Sequence, residues 1–267
     1  MSNFNTYVIN LENDKEKYKE ILKNLSKCNI KPIRFNAIDG RKKLLPEYNA
    51  LVSISCLEYC PFSVIGCGLS HLLVANQFHK SDPNDFCLIL EDDAKPLTSN
   101  IKQEIKKVIQ TASPDWDIIR LYCQGFCNYD YNHKKIGMEY RKPLTGSNCA
   151  YLLSKRGAQK IQSMRLKWHI DAQFVSSNLK IYDIKSPLFV PDSKISTSYT
   201  NNSKILPKIF GYKLGKYDNT IDWYLGNSIF REPGTKKVYN YYQLIGNIII
   251  LVVIIILTIL LFIRFRR

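Results

Sequence analysis

The sequence predicts an α/β fold, a mostly parallel sheet flanked by helices, with a transmembrane helix at its C-terminal end. Short apolar runs rich in strand formers alternate with stretches of helical period, the order that builds βαβ units. One run, Phe86–Leu90, is apolar throughout, as a strand covered on both faces is, and it ends in Glu91-Asp92-Asp93. The twenty residues from Leu244 to Ile263 carry no charge, about the length a helix needs to cross a bilayer.

Phe4–Leu11 is the first expected strand. Asn13, with Glu16 three residues on, is placed to cap a helix whose apolar face is Tyr18, Ile21, Leu22 and Leu25. Pro32–Ile38 is the second strand, closed by Asp39-Gly40, so the first two strands form a parallel pair. Arg41–Ser63, with Pro46 and Pro61, reads as a long loop. Gly66-Cys67-Gly68 then leads into an apolar helix, Leu69–Lys80, whose first turn holds Ser70 and His71. Glycines there would let backbone N–H groups approach an anion. On its own residue type, Ser70 reads as a capping or hydrogen-bonding residue and His71 as a structural histidine.

After the carboxylates, Ile101–Ala112 is a helix with Ile101, Ile105, Val108 and Ile109 on one face. Asp117–Tyr122 and Asn148–Ser154 are strands separated by a polar excursion, Gln124–Arg141, and Ser154 caps a helix over Lys155–Met164. Asp171 follows Trp168 and His169, either as a working carboxylate or as the N-cap of a helix over Ala172–Ser177. Leu179–Pro191 is strand-like. The expected organisation is a folded domain over 1–200, a polar, basic juxtamembrane region over 201–243 with Lys204, Lys208, Lys213 and Lys216, the membrane span 244–263 and a basic tail 264–267. Basic residues near anionic lipid contribute about 1 kcal/mol each.

Three adjacent carboxylates repel one another and raise each other's pKa unless a cation shares them. Hard oxygen ligands at a strand end suit Mg²⁺ or Mn²⁺, and in open α/β sheets the ligand crevice lies outside the carboxyl ends of the strands. A solvated acidic turn is the plain alternative. The net charge is +15, and the arginines at 264, 266 and 267 account for only three of it, so the remainder is basic and favours anionic partners. Nucleic acid is not expected among them, because the basic residues are dispersed and no reading motif is present. The eight cysteines show no regular framework and read as reduced thiols. Cys56, Cys60, Cys67 and His71 give C-x3-C-x6-C-x3-H, an irregular spacing for zinc that competes with ordinary core cysteines. Without a basic and apolar N-terminal segment, the chain is expected to insert as a tail anchor with the large domain in the cytosol. Asn-x-Ser/Thr at Asn24 and Asn201 would matter only on a lumenal domain.

Five stretches, in this order, resemble glycosyltransferase family 25, the family of lipopolysaccharide-biosynthesis and procollagen galactosyltransferases. They are Val8-Ile9-Asn10-Leu11; Phe35-Asn36-Ala37-Ile38-Asp39-Gly40; Gly66-Cys67-Gly68-Leu69-Ser70-His71; Leu88-Ile89-Leu90-Glu91-Asp92-Asp93-Ala94; and Ala150–Ser154 with Gly157-Ala158 and Ile170-Asp171. The resemblance implies a GT-A-like, Rossmann-type fold, a UDP-sugar donor and Mn²⁺ (or Mg²⁺) on Asp93, Glu91 and Asp92. It also implies a donor site bordered by Asn10, Asp39, Gly68, Ser70, His71 and Asp92. The acceptor would be a glycan, a glycolipid or a collagen-like hydroxylysine. Where the family tends to carry arginines after its first Asn-Leu, this chain has Glu12, Asn13, Lys15 and Lys17. An inverting displacement needs a base for the acceptor hydroxyl, and Asp171 is the candidate. A membrane-anchored binding protein that keeps the fold without activity is the competing expectation.

Overall fold

The computed structural model describes residues 4–42, 44–122, 138–140, 147–184, 186–192, 228–236 and 238–265. They fall into two units, Met1–Ser196 and Thr197–Arg267. In the first, β1 (Asn5–Asn10) leads through α1 (Lys15–Ser26) to β2 (Ile33–Asn36), and β1 pairs parallel with β2 as the alternation predicts. The sequence then gives α2 (Pro46–Ala50), α3 (Ile54–Tyr59), α4 (Phe62–Ser81), β3 (Phe86–Glu91), β4 (Ala94–Pro96), α5 (Ile101–Thr111), β5 (Ile118–Arg120) and β6 (Met138–Tyr140). Next come β7 (Ala150–Ser154), α6 (Lys155–Gln162), α7 (Ile170–Val175), β8 (Ile181–Ile184) and β9 (Phe189–Pro191).

Seven strands form one sheet in the order β2-β1-β3-β7-β5-β8-β6. β1, β2, β3, β5 and β8 run one way, while β7 and β6 are antiparallel to their neighbours. Alternation along β3 sends Cys87 and Ile89 into a core shared with α4, and Leu88 and Leu90 into a core shared with α1 and α5. Both faces are therefore covered, which explains the unbroken apolar run. In α5, Ile101, Ile105 and Val108 are buried, the face its period predicts.

Several local expectations are corrected. Asp14, not Asn13, is the N-cap residue of α1, with no side-chain cap bond. The stretch read as a loop over Arg41–Ser63 contains α2 and α3: Pro46 opens one, and Ser53 Oγ caps the other by accepting from Cys56 N. Helix α4 begins at Phe62, seven residues earlier than the Leu69 expected, so Gly66 and Gly68 are interior helix residues rather than an anion-binding entry. Packing overrides their low helix propensity. A Cβ on Gly66 would stand 2.4 Å from Ile38 O and 2.7 Å from Gly40 N, so the backbone after β2 crosses the helix where there is no side chain. A Cβ on Gly68 would stand 2.4 Å from Leu166 Cδ1. Helix α7 takes His169 as N-cap, which places Asp171 inside its first turn rather than at the cap. Ser154 does cap α6, accepting from Gly157 N at 3.0 Å.

The second unit contains an antiparallel hairpin, β10 (Ser228–Arg231) with β11 (Val238–Asn240), and α8 (Tyr241–Phe265). Most of the expected juxtamembrane region, with Lys204, Lys208, Lys213 and Lys216, lies outside the described residues. In α8 the described side chains run unbroken only over Ile248–Leu260, all exposed. Among the described residues no helix is long and apolar enough to cross a membrane; the span expected over Leu244–Ile263 includes side chains at 244, 247 and 261–263 that lie outside the described residues.

Candidate active site

Strand alternation splits the carboxylate triplet. Glu91 turns towards α4, where its Oε1 lies 3.1 Å from His71 Nε2. Asp92 turns the other way: its Oδ2 accepts from Asn10 Nδ2 at 2.7 Å, and Lys17 of α1 stands 3.9 Å from its Oδ1. Asp93 is buried, and its backbone carbonyl accepts from Asp192 N at 2.8 Å where β4 pairs with β9. The chain thus leaves the triplet directly into a small two-stranded ribbon that fixes the Asp93 backbone.

Asn10 sits at the end of β1, next to β3 in the sheet. Arg34 of β2 gives its Oδ1 two hydrogen bonds, at 3.1 and 2.5 Å, and also donates to Leu11 O at 3.1 Å. Its guanidinium lies 4.5 Å from the Tyr18 ring centre. A guanidinium therefore does reach the backbone after the first Asn-Leu, but from β2. Lone arginines on edge strands are common, and only the alternation of Ile33, Arg34 and Phe35 hints that Arg34 faces α1.

His71 is fully buried, with Nδ1 3.0 Å from Tyr151 OH on β7. Burial lowers its pKa to about 4, so the ring is neutral near neutral pH. Burial, aided by the charges of Asp171 and Asp92, pushes Glu91 up to about 8. The two form a neutral hydrogen-bonded pair, not a salt bridge. Cys67, one turn before His71, completes a group in which the Cys67, His71 and Glu91 ligand atoms lie within 4.8 Å of one another. Cys56 and Cys60, the other half of the zinc spacing, do not belong to this group.

Ser70 is wholly structural in its contacts. It is buried, donates to Gly66 O at 2.7 Å and accepts from Ile38 N at 2.8 Å, tying α4 to the segment after β2. Gly68 faces Leu166. Asp39 spends both carboxylate oxygens on Arg41, at 2.8 and 2.9 Å, and that hydrogen bonding holds its pKa below the ordinary value. Asp171 accepts from Asn148 N at 3.2 Å and stands 3.8 Å from His169 Nδ1. Asn148 Nδ2 is buried with no hydrogen-bond partner among the described residues.

Asn10, Glu91, Asp92, His71 and Asp171 are therefore gathered at one end of the sheet by direct bonds or by mutual charge effects, whereas Ser70 and Gly68 serve packing. A cavity of about 450 Å³ lies elsewhere, between β2 and α4, lined by residues including Asn36, Tyr48, Asn76 and Lys80; none of these carboxylates lines it.

Residues 3–175 match the model of glycosyltransferase family 25, described as an LPS biosynthesis protein. No curated protein matches the chain. Among solved structures, the STIV protein A197 is 10% identical, with 70% of this chain and 83% of that one covered and a TM-score of 0.38. A glycosyltransferase involved in glycosylation of the major capsid of PBCV-1 is 10% identical over 60% and 64%, with a TM-score of 0.34. Mouse xyloside xylosyltransferase 1 in its apo form is 14% identical over 64% and 66%, with a TM-score of 0.29.

Proposed function

Because the chain belongs to glycosyltransferase family 25, we propose that it moves a hexose, galactose or glucose, from a UDP-sugar to a glycan, glycolipid or hydroxylysine acceptor with inversion. The observation that carries this reading is the pair Asp92 and Asp93 leaving β3 beside Asn10 of β1, at the carboxyl ends of parallel strands where such sheets take ligands. Two adjacent carboxylates, one half-buried and one buried, are an oxygen donor set suited to Mn²⁺ or Mg²⁺. Such an ion, held by Asp93 with Asp92, would neutralise the leaving diphosphate. Glu91, bonded to His71, takes a supporting place rather than a direct one.

The chain's own residues then divide the work. Arg34 locks the Asn10 amide so that its Nδ2 donates to Asp92. Lys17 adds positive charge beside the same carboxylate. Asp171, oriented by Asn148 N, takes the proton from the acceptor hydroxyl. The apolar run over Leu244–Ile263 holds the enzyme to a membrane, with the large domain on the cytosolic side.

Release of UDP from a panel of UDP-sugars by the detergent-solubilised full chain, with and without Mn²⁺, tests the reading. Metal-dependent release lost in both Asp92→Asn and Asp93→Asn is expected. Unchanged turnover in both would remove the metal assignment, and no release from any donor would remove the transferase reading. Recovery in the soluble fraction after alkaline carbonate washing would remove the membrane assignment.

A further inference from the structure

We propose that Cys67, His71 and Glu91 form a second cation site, one that takes a thiophilic divalent ion such as Zn²⁺. Cys67 and His71 are four residues apart in α4, so they share one helical face. Glu91 meets that face from the end of β3, and the three ligand atoms already lie within 4.8 Å of one another. Around tetrahedral zinc, with bonds of about 2.0–2.1 Å to nitrogen or oxygen and about 2.3 Å to sulfur, neighbouring ligand atoms sit roughly 3.3–3.6 Å apart. The 3.1 Å between His71 Nε2 and Glu91 Oε1 is close to that. With 4.8 Å as the upper limit of the separations, Cys67 Sγ needs to close in by at most about 1 Å.

Two surrounding features fit an ion better than a plain hydrogen bond. Tyr151 OH holds His71 Nδ1 at 3.0 Å, the outer contact that fixes a ligating imidazole with its other nitrogen forward. On binding an ion, the Cys67 thiol and the Glu91 carboxyl would each release a proton to solvent, and the two negative charges so formed would match a divalent cation in this poorly hydrated place. The negative charge of Asp171 is felt at all three residues, and the fourth ligand position falls to water. A Cys/His/Glu set is softer than the oxygen pair Asp92 and Asp93, so the two places choose different ions. Occupancy would pin α4 to β3 and keep Glu91 turned away from Asp92.

Co²⁺ titration of the detergent-solubilised full chain reads the site without any sugar transfer. One equivalent with a near-ultraviolet thiolate-to-cobalt band and intense four-coordinate visible bands is expected, bleached by Zn²⁺. Cys67→Ser should lose the near-ultraviolet band while Cys56→Ser and Asp93→Asn keep it, and Tyr151→Phe should weaken Co²⁺ binding about tenfold. Absence of the band in the parent protein, its survival in Cys67→Ser, or its loss in Asp93→Asn would each overturn the proposal. If Cys67→Ser fails to fold, alkylation mapped by mass spectrometry decides on the unaltered protein. Zn²⁺ must protect Cys67 and leave Cys56 alone, and equal alkylation of Cys67 with and without Zn²⁺ overturns it.

Discussion

Ser70→Ala removes one oxygen from the interior and separates a packing role from a donor-binding one. The hydroxyl accepts from Ile38 N at 2.8 Å and donates to Gly66 O at 2.7 Å, in a residue with no exposed surface. Without it the Ile38 N–H is left buried and unpaired, which costs about 1–3 kcal/mol. The Gly66 carbonyl still accepts within α4, so the second loss is about 0.5–1.5 kcal/mol. A total of about 1.5–4.5 kcal/mol is expected, or roughly 3–18 °C in Tm for a unit of this size. Urea unfolding followed by circular dichroism gives the first number and a thermal scan the second. Donor turnover per folded molecule should fall little. A variant as stable as the parent with donor binding lost would refute the packing argument and return Ser70 to the cleft.

Gly66→Ala should destabilise by several kcal/mol, although alanine in an ordinary helix interior gains about 1 kcal/mol over glycine; the new Cβ meets Ile38 O at 2.4 Å and Gly40 N at 2.7 Å, both backbone, and a raised urea midpoint would contradict this. Glu91→Gln should flatten the pH dependence of stability on the alkaline side. In the fold Glu91 keeps its proton to about pH 8 against 4.5 ordinarily, so its stabilising contribution is full below 4.5 and is lost as pH rises through 8. His71, lowered from 6.5 to about 4, works oppositely: its contribution is full above 6.5 and is lost as pH falls through 4. The slopes oppose between 4.5 and 6.5, leaving a net decline from 6.5 to 8, and a parental Tm profile in Glu91→Gln under chelator would count against the neutral pair. Arg34→Lys keeps the charge but not the paired donors; UDP release should drop roughly tenfold with Tm nearly unchanged, and full activity would show that Asn10 needs no such clamp.

The sheet was legible because β1, β3 and β7 are runs of strand formers whose cores leave no choice of face. The acidic strand end and its neighbour Asn10 were legible for the same reason. What sequence could not show lies in contacts between distant segments. Gly66 and Gly68 read as the lead-in to a helix because glycine is a poor helix former, and only Gly40 and Leu166, brought in from elsewhere, explain them inside it. Arg120 lies in an apolar run, yet is buried against Asp183 of the adjacent strand with Nε 2.5 Å from Oδ1. Asp117, also buried, gathers Arg156 Nε at 2.8 Å and Lys160 Nζ at 2.6 Å. Charge in a strand pattern signals a partner without saying which one. Tyr151 was visible only as a strand residue, since its bond to His71 joins positions 80 apart.

The splitting of the triplet makes the order of its letters matter as much as their charge. Glu91 has the longer arm and points to α4, while Asp92 has the shorter arm and points to α1. Writing the same three residues as Asp-Glu-Asp would preserve composition and net charge, yet leave His71 facing a carboxylate too short to reach it and crowd the Asn10 side. Inserting one residue in β3 would exchange the two environments altogether, because strand parity admits no intermediate. Divergence at this spot is therefore confined to changes that respect odd and even positions, and a relative is better recognised by that parity than by a count of acids.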